Sequence, residues 1–450
     1  MKVPGAFAIF RLMDSQTIVA PMTPMGVSAV AALRVSGPQV RLVVERLFGT
    51  KAAKGLKPRM ANLGTARDPK TGKVLDSLLY IYFESPNSYT GEDVLELYPH
   101  GNPLIVRDLL QAIRGIEGVR LAEPGEYTRR AFLNGKMDLT QAESVADVIH
   151  SANRAELENA HRLLSGALSK KIATLTAQVK DISARIELDV DFAEEEADPD
   201  FSGWQERFEN IRESIKGILN SFRGKANLSR LPLAVLYGAP NAGKSSLVNA
   251  LLGEDRVLVS NVPGTTRDFV EVRLFLDGGE IRLVDTAGIA EHATDELDAL
   301  SMKKSREILE EADLKILVLD GTDLGEPVVQ PDFIVHSKCD LRESLPETGL
   351  CISSKTGAGL AELKSVMNAA LFKKSDNAED LWITSEREKA CLEDAYAGVN
   401  RVLDLLRRNP AVELLAFEMQ LVRRSLQSIT GEISSEDILQ SIFAGFCIGK

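Results

Sequence analysis

Along the chain, apolar residues occur either in short runs typical of strands or at the three- to four-residue spacing of helices. The first part of the chain, to about Leu139, contains both patterns. Short β-branched runs at Thr17–Ala20, Ala29–Val35 and Ser77–Phe83 stand between Pro, Gly and Asn residues, which is typical of strands and turns. Val106–Ile113 instead has the spacing of a helix. This mixture, which continues to about Leu139, predicts an α+β domain.

Strand patterns then stop, and apolar residues recur every three or four positions as far as Arg230. This spacing predicts amphipathic helices at Gln141–His150, Ala155–Leu164, Lys171–Asp191 and Trp204–Phe222. The acidic run Glu194–Asp200 between the last two is interpreted as a solvated loop.

From Leu231 to about Leu371 strand and helix patterns alternate, beginning with the apolar run Pro232–Tyr237, which predicts a parallel sheet with crossover helices. Helical patterns return after Asp376, at Glu386–Arg408, Val412–Ser428 and Ser435–Phe446. An α/β unit between helical segments predicts one helical domain that is split by an insertion.

A chain of 450 residues is too long for one ordinary core. The predicted domains are residues 1–137 (α+β), 138–230 (first helical part), 231–375 (inserted α/β domain) and 376–450 (second helical part). Met1–Leu12 is interpreted as an extension ahead of the fold, and the true start stays open between Met1 and Met13.

Composition narrows the class of protein. The chain has a net charge of −12, so we expect any contact with nucleic acid to be local. Its four cysteines are dispersed, and no run of about 20 apolar residues is present, which favours neither a disulfide framework nor a membrane span. Without a targeting signal, the sequence predicts a cytoplasmic protein.

A phosphate-binding loop stands where the inserted domain begins. Gly238–Ser245 fits GxxxxGK[ST], after an apolar strand and before the helical pattern of Ser246–Leu252. The glycines let backbone N–H groups point at phosphates, Lys244 neutralises phosphate oxygens, and the Ser245 hydroxyl is a ligand for Mg²⁺.

Two further motifs complete the prediction of a GTP-hydrolysing switch. Asp285–Gly288 follows the apolar strand Ile281–Val284, which puts a carboxylate near the metal and a glycine N–H near the γ-phosphate. Thr266 lies in a segment that could close over Mg²⁺ only when the γ-phosphate is present, which is a switch. Lys244, Asp285 and Gly288 are therefore predicted to act in hydrolysis.

Base choice is predicted to come from Asp340, which can accept the ring N–H and the amine of guanine, and from the backbone of Ser353–Lys355. Ser337 stands where Asn-Lys-x-Asp motifs have Asn, so we expect the link from the base pocket to the phosphate loop to be lost. The predicted GTP-binding residues are Asn241, Ala242, Gly243, Lys244, Ser245, Ser246, Ser260, Asn261, Val262, Pro263, Gly264, Thr265, Thr266, Asp285, Thr286, Ala287, Gly288, Ser337, Lys338, Asp340, Ser353, Ser354 and Lys355.

The position where Ras-like switches carry a water-orienting glutamine is Ile289 here, so hydrolysis must be completed differently. With Asn241 and Gly264–Asp268, this domain resembles the potassium-stimulated GTPases. The strings from Pro86 to Glu96 and from Pro124 to Glu143, and the end Phe446–Lys450, resemble those of the MnmE (TrmE) tRNA-modification GTPases.

The resemblance implies a folate-binding α+β domain, and a helical domain split by a Ras-like P-loop GTPase domain. It implies a homodimer that works with an FAD-dependent partner, MnmG (GidA), on C5 of the wobble uridine of certain tRNAs, adding an aminomethyl-type group with a one-carbon unit from formyl- or methylene-tetrahydrofolate. It assigns folate contacts to Arg34, Glu96, Lys136 and Lys450.

The same resemblance assigns potassium to Asn241, Ser260, Val262 and Thr265, and Mg²⁺ to Ser245 and Thr266. It aligns Asp298 with the residue that orients the hydrolytic water, and Glu296 competes with it because the chain is one residue longer there.

Two assignments and two rival functions stay open. Cys447 is either a nucleophile or a structural cysteine, and His100 is a minor candidate. A ribosome-assembly GTPase of the Era or Der kind would need a KH-like module or a second GTPase, and neither a GxxG in a basic setting nor a second GxxxxGK[ST] appears in the sequence. A lipid-remodelling GTPase would need a basic amphipathic helix, which the acidic balance disfavours.

Overall fold

The structure is a computed structural model, and it describes residues 16–191, 202–224, 230–254, 269–286, 306–320, 329–341, 348–372, 381–408 and 412–449. The chain forms two compact units, one of residues 1–149, 160–222 and 383–450 and the other of residues 150–159 and 223–382. This division into two units does not test the bounds predicted for the four domain segments, which stay predictions.

A six-stranded sheet dominates the first part of the first unit, in the order β4-β5-β6-β3-β1-β8. Only the pair of β1 and β8 is parallel. These strands are β1 (Thr17–Pro21), β3 (Leu33–Ser36), β4 (Ala61–Arg67), β5 (Val74–Phe83), β6 (Val94–Tyr98) and β8 (Val119–Leu121).

One face of this sheet carries the core. Helix Val40–Phe48 buries Val40, Val43, Val44 and Leu47, and helix Pro103–Arg114 buries Val106, Leu109, Ala112 and Ile113, because these positions recur at helical spacing. Helices Thr50–Lys54 and Glu126–Leu133 complete the α+β part.

The single strand predicted at Ala29–Val35 is corrected by the structure. It consists of β2 (Ser28–Val30) and β3, and β2 pairs with β7 (His100–Gly101) in a separate two-stranded sheet. Ala31 N donates to Pro99 O, and Ala32 N donates to Thr23 Oγ1. At these two residues the backbone passes from the two-stranded sheet to the six-stranded sheet.

Helices from both sides of the inserted unit build one bundle in the first unit, which confirms the predicted split helical domain. Helix Glu386–Leu406 packs on Val412–Thr430 and Ser202–Asn220, and Val412–Thr430 packs on Ala167–Asp191. Gly398 permits close approach, because a Cβ there would stand 2.6 Å from Val422 Cγ2. The other helices of this part are Leu139–His150 and Glu436–Ala444, together with helix Arg154–Leu164 from Ala160 onward.

The second unit contains the predicted α/β domain. Its six-stranded sheet has the order β10-β11-β9-β12-β13-β14, and all its pairs are parallel except the hairpin of β10 and β11. The strands are β9 (Leu233–Tyr237), β10 (Phe269–Leu276), β11 (Gly279–Thr286), β12 (Leu314–Leu319), β13 (Phe333–His336) and β14 (Leu350–Cys351). Helices Lys244–Glu254 and Leu360–Leu371 pack on it.

Residues 150–159 belong to this second unit and join its hairpin. Arg154 N donates to Gly278 O, Glu280 N donates to Ala152 O, and Asn153 forms a bridge with Gly279. A Cβ on Gly279 would stand 2.6 Å from Ala152 O, so this contact requires glycine there.

No helix in the described ranges is long and apolar enough to cross a membrane.

Candidate functional site

The phosphate loop joins β9 to helix Lys244–Glu254, as the motif predicts. Gly238 has a φ of +146°, and a Cβ there would lie 2.2 Å from Val318 O. Gly243 has a φ of +95°, a left-handed conformation that glycine adopts without strain. The loop therefore needs both glycines, and its N–H groups precede the positive end of a helix.

Lys244 is held inside this loop. It is 6% exposed, and its Nζ donates to Gly238 O at 3.0 Å and Ala239 O at 2.9 Å. Burial lowers the pKa of its ammonium group, and the charge of Asp285 opposes that shift. The amine is thus placed where phosphate oxygens would replace backbone carbonyls as its partners.

Ser245 and Asp285 meet at the start of the helix. Ser245 Oγ donates to Asp285 Oδ2 at 2.5 Å, and Asp285 Oδ1 is buried with no hydrogen-bond partner among the described residues. Thr286 Oγ1 donates to Leu236 O at 2.9 Å and fixes the end of β11 beside β9. A hydroxyl and a carboxylate with an unpartnered oxygen fit a hard cation such as Mg²⁺.

A cavity of about 580 Å³ lies beside the loop, and it contains the predicted base-binding residues. Its lining residues are Gly243, Ser246, Asn249, Ala250, Ser337, Lys338, Asp340, Leu341, Ser354 and Lys355. Asn249, Ala250 and Leu341 were not predicted. Asn249 is three residues after Ser246 on the same helix, so helical spacing alone could have indicated it.

Asp340 is fixed within this cavity. Ser353 Oγ donates to Asp340 Oδ1 at 2.7 Å, and this hydrogen bond lowers the pKa of the Asp340 carboxyl. The ionised carboxylate accepts hydrogen bonds only, which suits the two donors on the guanine edge.

The link from the base motif to the phosphate loop is present, so the expected loss of this link is wrong. Ser337 Oγ donates to Ala242 O at 2.6 Å and lies 3.2 Å from Leu319 O. Lys338 Nζ adds a hydrogen bond to Asn241 O at 3.0 Å and pairs with Asp320. The shorter serine reaches because the backbone of Gly243 comes close, where an added Cβ would stand 3.3 Å from Ser337 Oγ.

Several predicted residues lie outside the described residues, and their assignments stay predictions. They are Ser260, Asn261, Val262, Pro263, Gly264, Thr265, Thr266, Ala287, Gly288, Glu296, Asp298 and Lys450.

In the first unit, the register of β3 and β6 places Arg34 directly opposite Glu96. Arg34 donates through Nε at 3.1 Å and Nη2 at 2.8 Å to Glu96 Oε1. Tyr98 donates its hydroxyl to Glu96 Oε2 at 2.5 Å, and burial followed by this carboxylate raises the pKa of Tyr98 to about 12. Glu96 is therefore held on both carboxylate oxygens.

Within the part of the chain that the structure describes, Arg34 keeps one buried nitrogen, Nη1, without a hydrogen-bond partner. Its guanidinium lies 4.9 Å from the ring centre of Tyr89 and 5.7 Å from that of Tyr127. Tyr127 donates its hydroxyl to Arg34 O at 2.6 Å. The aromatic lining and the one open donor suit a planar, polar ligand such as a pterin.

The remaining predicted residues of this part have separate surroundings. Lys136 Nζ donates to Pro86 O at 2.9 Å and is solvent-accessible. Gly449 packs on β1, because a Cβ there would stand 2.2 Å from Pro21 O. Cys447 is solvent-exposed and forms no disulfide within the described residues. His100 Nδ1 lies 2.9 Å from Asp76 Oδ1.

Family comparisons cover nearly all of this architecture. The family MnmE helical domain matches residues 139–447, and the family GTP-binding protein TrmE N-terminus matches residues 17–136. With an α+β domain, a split helical bundle and an inserted phosphate-loop domain, the class is a multidomain GTPase. The chain belongs to the MnmE family.

Curated relatives are similar along their whole length. The chain is 37% identical to tRNA modification GTPase MnmE of Syntrophus aciditrophicus, over 97% of this chain and 100% of the relative. It is 38% identical to the protein of that name in Methylobacterium radiotolerans and 36% identical to that in Vibrio parahaemolyticus, with the same coverage. The predicted GTP hydrolase and the predicted family are confirmed.

Proposed function

We propose that the chain hydrolyses GTP to drive a conformational step in the modification of tRNA. Its relatives carry the name tRNA modification GTPase. The proposal rests on the hydrogen bond between Ser245 Oγ and Asp285 Oδ2, and on Asp340 in the adjoining cavity, which can accept hydrogen bonds from guanine. Bound Mg²⁺ would neutralise charge on the β- and γ-phosphates. Ser245 and Asp285 hold its side of the site, and Lys244 binds the phosphate oxygens.

The modification takes place at C5 of the wobble uridine, with a one-carbon unit from formyl- or methylene-tetrahydrofolate and with the FAD-dependent MnmG (GidA) as partner. Arg34 and Glu96 support a folate site, because they present a buried charge pair between tyrosine rings. Lys136 and Lys450 would bind the anionic glutamate tail. The protein is cytoplasmic and dimerises through its amino-terminal domain.

Potassium stimulates the hydrolysis through Asn241. This residue has a φ of +64°, a conformation that asparagine tolerates better than most residues. Lys338 Nζ holds its carbonyl oxygen at 3.0 Å, so the exposed side-chain amide is available for a cation beside the phosphates. Ser260, Val262 and Thr265 would supply the other ligands, and dimerisation of two GTPase domains would order them.

The test is GTP hydrolysis in KCl and in NaCl at equal ionic strength, for the native chain and for Asn241→Ala. We expect KCl to accelerate the native chain at least tenfold and the variant to lose this response while it still binds GDP. Equal rates in both salts would overturn the potassium proposal. Absence of GTP hydrolysis in either salt would overturn the proposed function itself.

A further inference from the structure

The most basic stretch of this acidic chain is not part of either candidate site. Between positions 46 and 73 the sequence has eight Lys or Arg residues and one acidic residue, Asp68, whereas the whole chain has a net charge of −12. We call these eight residues the basic edge: Arg46, Lys51, Lys54, Lys57, Arg59, Arg67, Lys70 and Lys73.

The fold places the basic-edge residues from Lys57 to Lys73 around the edge strand of the sheet in the first unit, and Arg46, Lys51 and Lys54 on the two helices that precede it. β4 is the edge strand, and its seven residues extend over about 20 Å. Before β4, Arg59 N donates to Tyr82 O and Pro58 bridges Tyr82, which fixes this end to β5. Beyond β4, the tight turn that leads into β5 carries the last two lysines. Basic residues therefore stand at both ends of one strand.

All eight side chains are exposed, and none forms an ion pair with a carboxylate in the part of the chain that the structure describes. Asp68, the carboxylate among them, accepts hydrogen bonds from the backbone N–H groups of Lys70 and Thr71, both at 2.8 Å. These bonds lower the pKa of the Asp68 carboxyl and use it to close the turn.

Several exposed arginines elsewhere in this unit have carboxylate partners. Arg107 pairs with Asp108, Arg207 with Asp181, and Arg401 with Glu418. Like charges held close together without counter-ions repel one another, so a row of unpaired cations is most favourable when a polyanion lies along it.

We propose that the basic edge binds the phosphodiester backbone of RNA, and under the proposed function this RNA is the tRNA substrate. The basic groups stand at the two ends of a strand about 20 Å long, a distance that several phosphates of one RNA strand span, and lysine and arginine contacts to phosphates are independent of sequence. These contacts would be local, as the net charge of −12 leads us to expect.

An anionic membrane is the competing partner, because Met60 and Leu63 of this edge are exposed by 50% and 74%. Membrane-surface helices need a large apolar face beside their basic face. Helix Thr50–Lys54 has no such face, since its lysines are exposed and its two alanines pack against the core. The observations therefore favour RNA.

The test compares two variants of the full chain, Lys51→Ala/Lys54→Ala and Lys70→Ala/Lys73→Ala, with the control Lys170→Ala/Lys171→Ala. The control removes two exposed lysines from helix Ala167–Asp191 of the same unit. The measurement is the affinity for unfractionated bacterial tRNA at several KCl concentrations. We expect each basic-edge variant to bind about fivefold to tenfold more weakly, with the salt slope reduced by about 1 to 2, and the control to match the native chain.

Each other outcome is decisive. If the native chain binds tRNA and the basic-edge variants bind like the control, the inference is overturned and the proposed function stands. If the variants lose affinity for phosphatidylglycerol vesicles while tRNA binding is unchanged, the partner is a membrane. If the native chain hydrolyses GTP and binds no tRNA, the tRNA part of the proposed function fails together with the inference.

Discussion

The GTP site and the site around Arg34 differ in how many of their polar side-chain atoms already have hydrogen-bond partners within the protein. In the GTP site, Asp285 keeps a buried oxygen without a partner, and Lys244 has only backbone carbonyls as partners. Around Arg34, both oxygens of Glu96 are occupied, by the guanidinium and by the Tyr98 hydroxyl.

This difference separates two ways of preparing a binding site. The GTP site presents groups whose partners a ligand must supply, so loss of one group removes ligand stabilisation directly. The Arg34 site presents a pair whose members stabilise each other, so loss of one leaves the other buried and uncompensated. The same kind of substitution should therefore affect ligand chemistry in one unit and folding in the other.

Lys244→Ala should have the largest effect and should leave the fold intact. Without the ammonium group, charge on the transferred phosphate loses a fixed counter-charge, and we expect GTP hydrolysis to fall about 10³-fold. The measurement is the single-turnover rate in KCl, with melting temperature as the control. A rate within tenfold of the native value would show that Lys244 is not an essential part of the site.

Arg34→Ala should destabilise the first unit by about 3 kcal/mol, because it leaves the Glu96 carboxylate buried without its cation. It should also abolish tetrahydrofolate binding. The measurement is urea unfolding of the first unit, followed by tryptophan fluorescence and circular dichroism.

The matched control for this prediction is Arg34→Met with Glu96→Gln, which removes both charges at similar volume and should restore most of the stability. If Arg34→Ala is as stable as the native chain, the pair is not mutually stabilising, and the contrast with the GTP site is lost.

Sequence patterns predicted the elements well, because long amphipathic helices and buried parallel strands have strong periodicities. The apolar run Pro232–Tyr237 forms the strand Leu233–Tyr237, and the helix predicted at Glu386–Arg408 is observed at Glu386–Leu406. The sequence pattern predicted one strand where the structure has two, Ser28–Val30 and Leu33–Ser36. The two strands are close in sequence and differ only in the distant strands with which they pair, which a local pattern does not reveal.

The candidate site was predicted where a motif fixes the local backbone. Gly238 and Gly243 are examples, since their conformations follow from the loop itself. The role of Ser337 could not be predicted, because its hydroxyl reaches Ala242 only through a close approach of two loops that are 95 positions apart in sequence. The pairing of Arg34 with Tyr98 through Glu96 likewise depends on strand register.

Asp340→Asn should change base preference without changing hydrolysis chemistry. The amide donates as well as accepts, so one of the two guanine donors meets another donor. We expect GTP to bind roughly 30-fold more weakly and xanthosine triphosphate to bind better, since loss of a charge-assisted hydrogen bond weakens binding by about tenfold or more. Competition binding with both nucleotides measures this, and unchanged GTP preference would remove Asp340 from the base site.

Ser337→Ala should have the smallest effect, because it removes only the hydrogen bonds of one hydroxyl, to Ala242 O and Leu319 O, and no charged group. The change leaves Ala242 O without its side-chain donor, at about 1 kcal/mol. We expect affinity for GDP to fall about fivefold, while the ratio of GTP to ATP binding stays constant because Asp340 is unchanged.

Ser337→Thr is the conservative control, since it keeps the hydroxyl and should bind GDP within twofold of the native chain. If Ser337→Ala binds GDP as tightly as the native chain, the hydroxyl adds nothing to the site and Lys338 alone links the loops. A change in base preference would instead show that Ser337 positions Asp340. The base cavity and the phosphate loop would then be one coupled unit, and the GTP site would share the mutual support that Arg34 and Glu96 have.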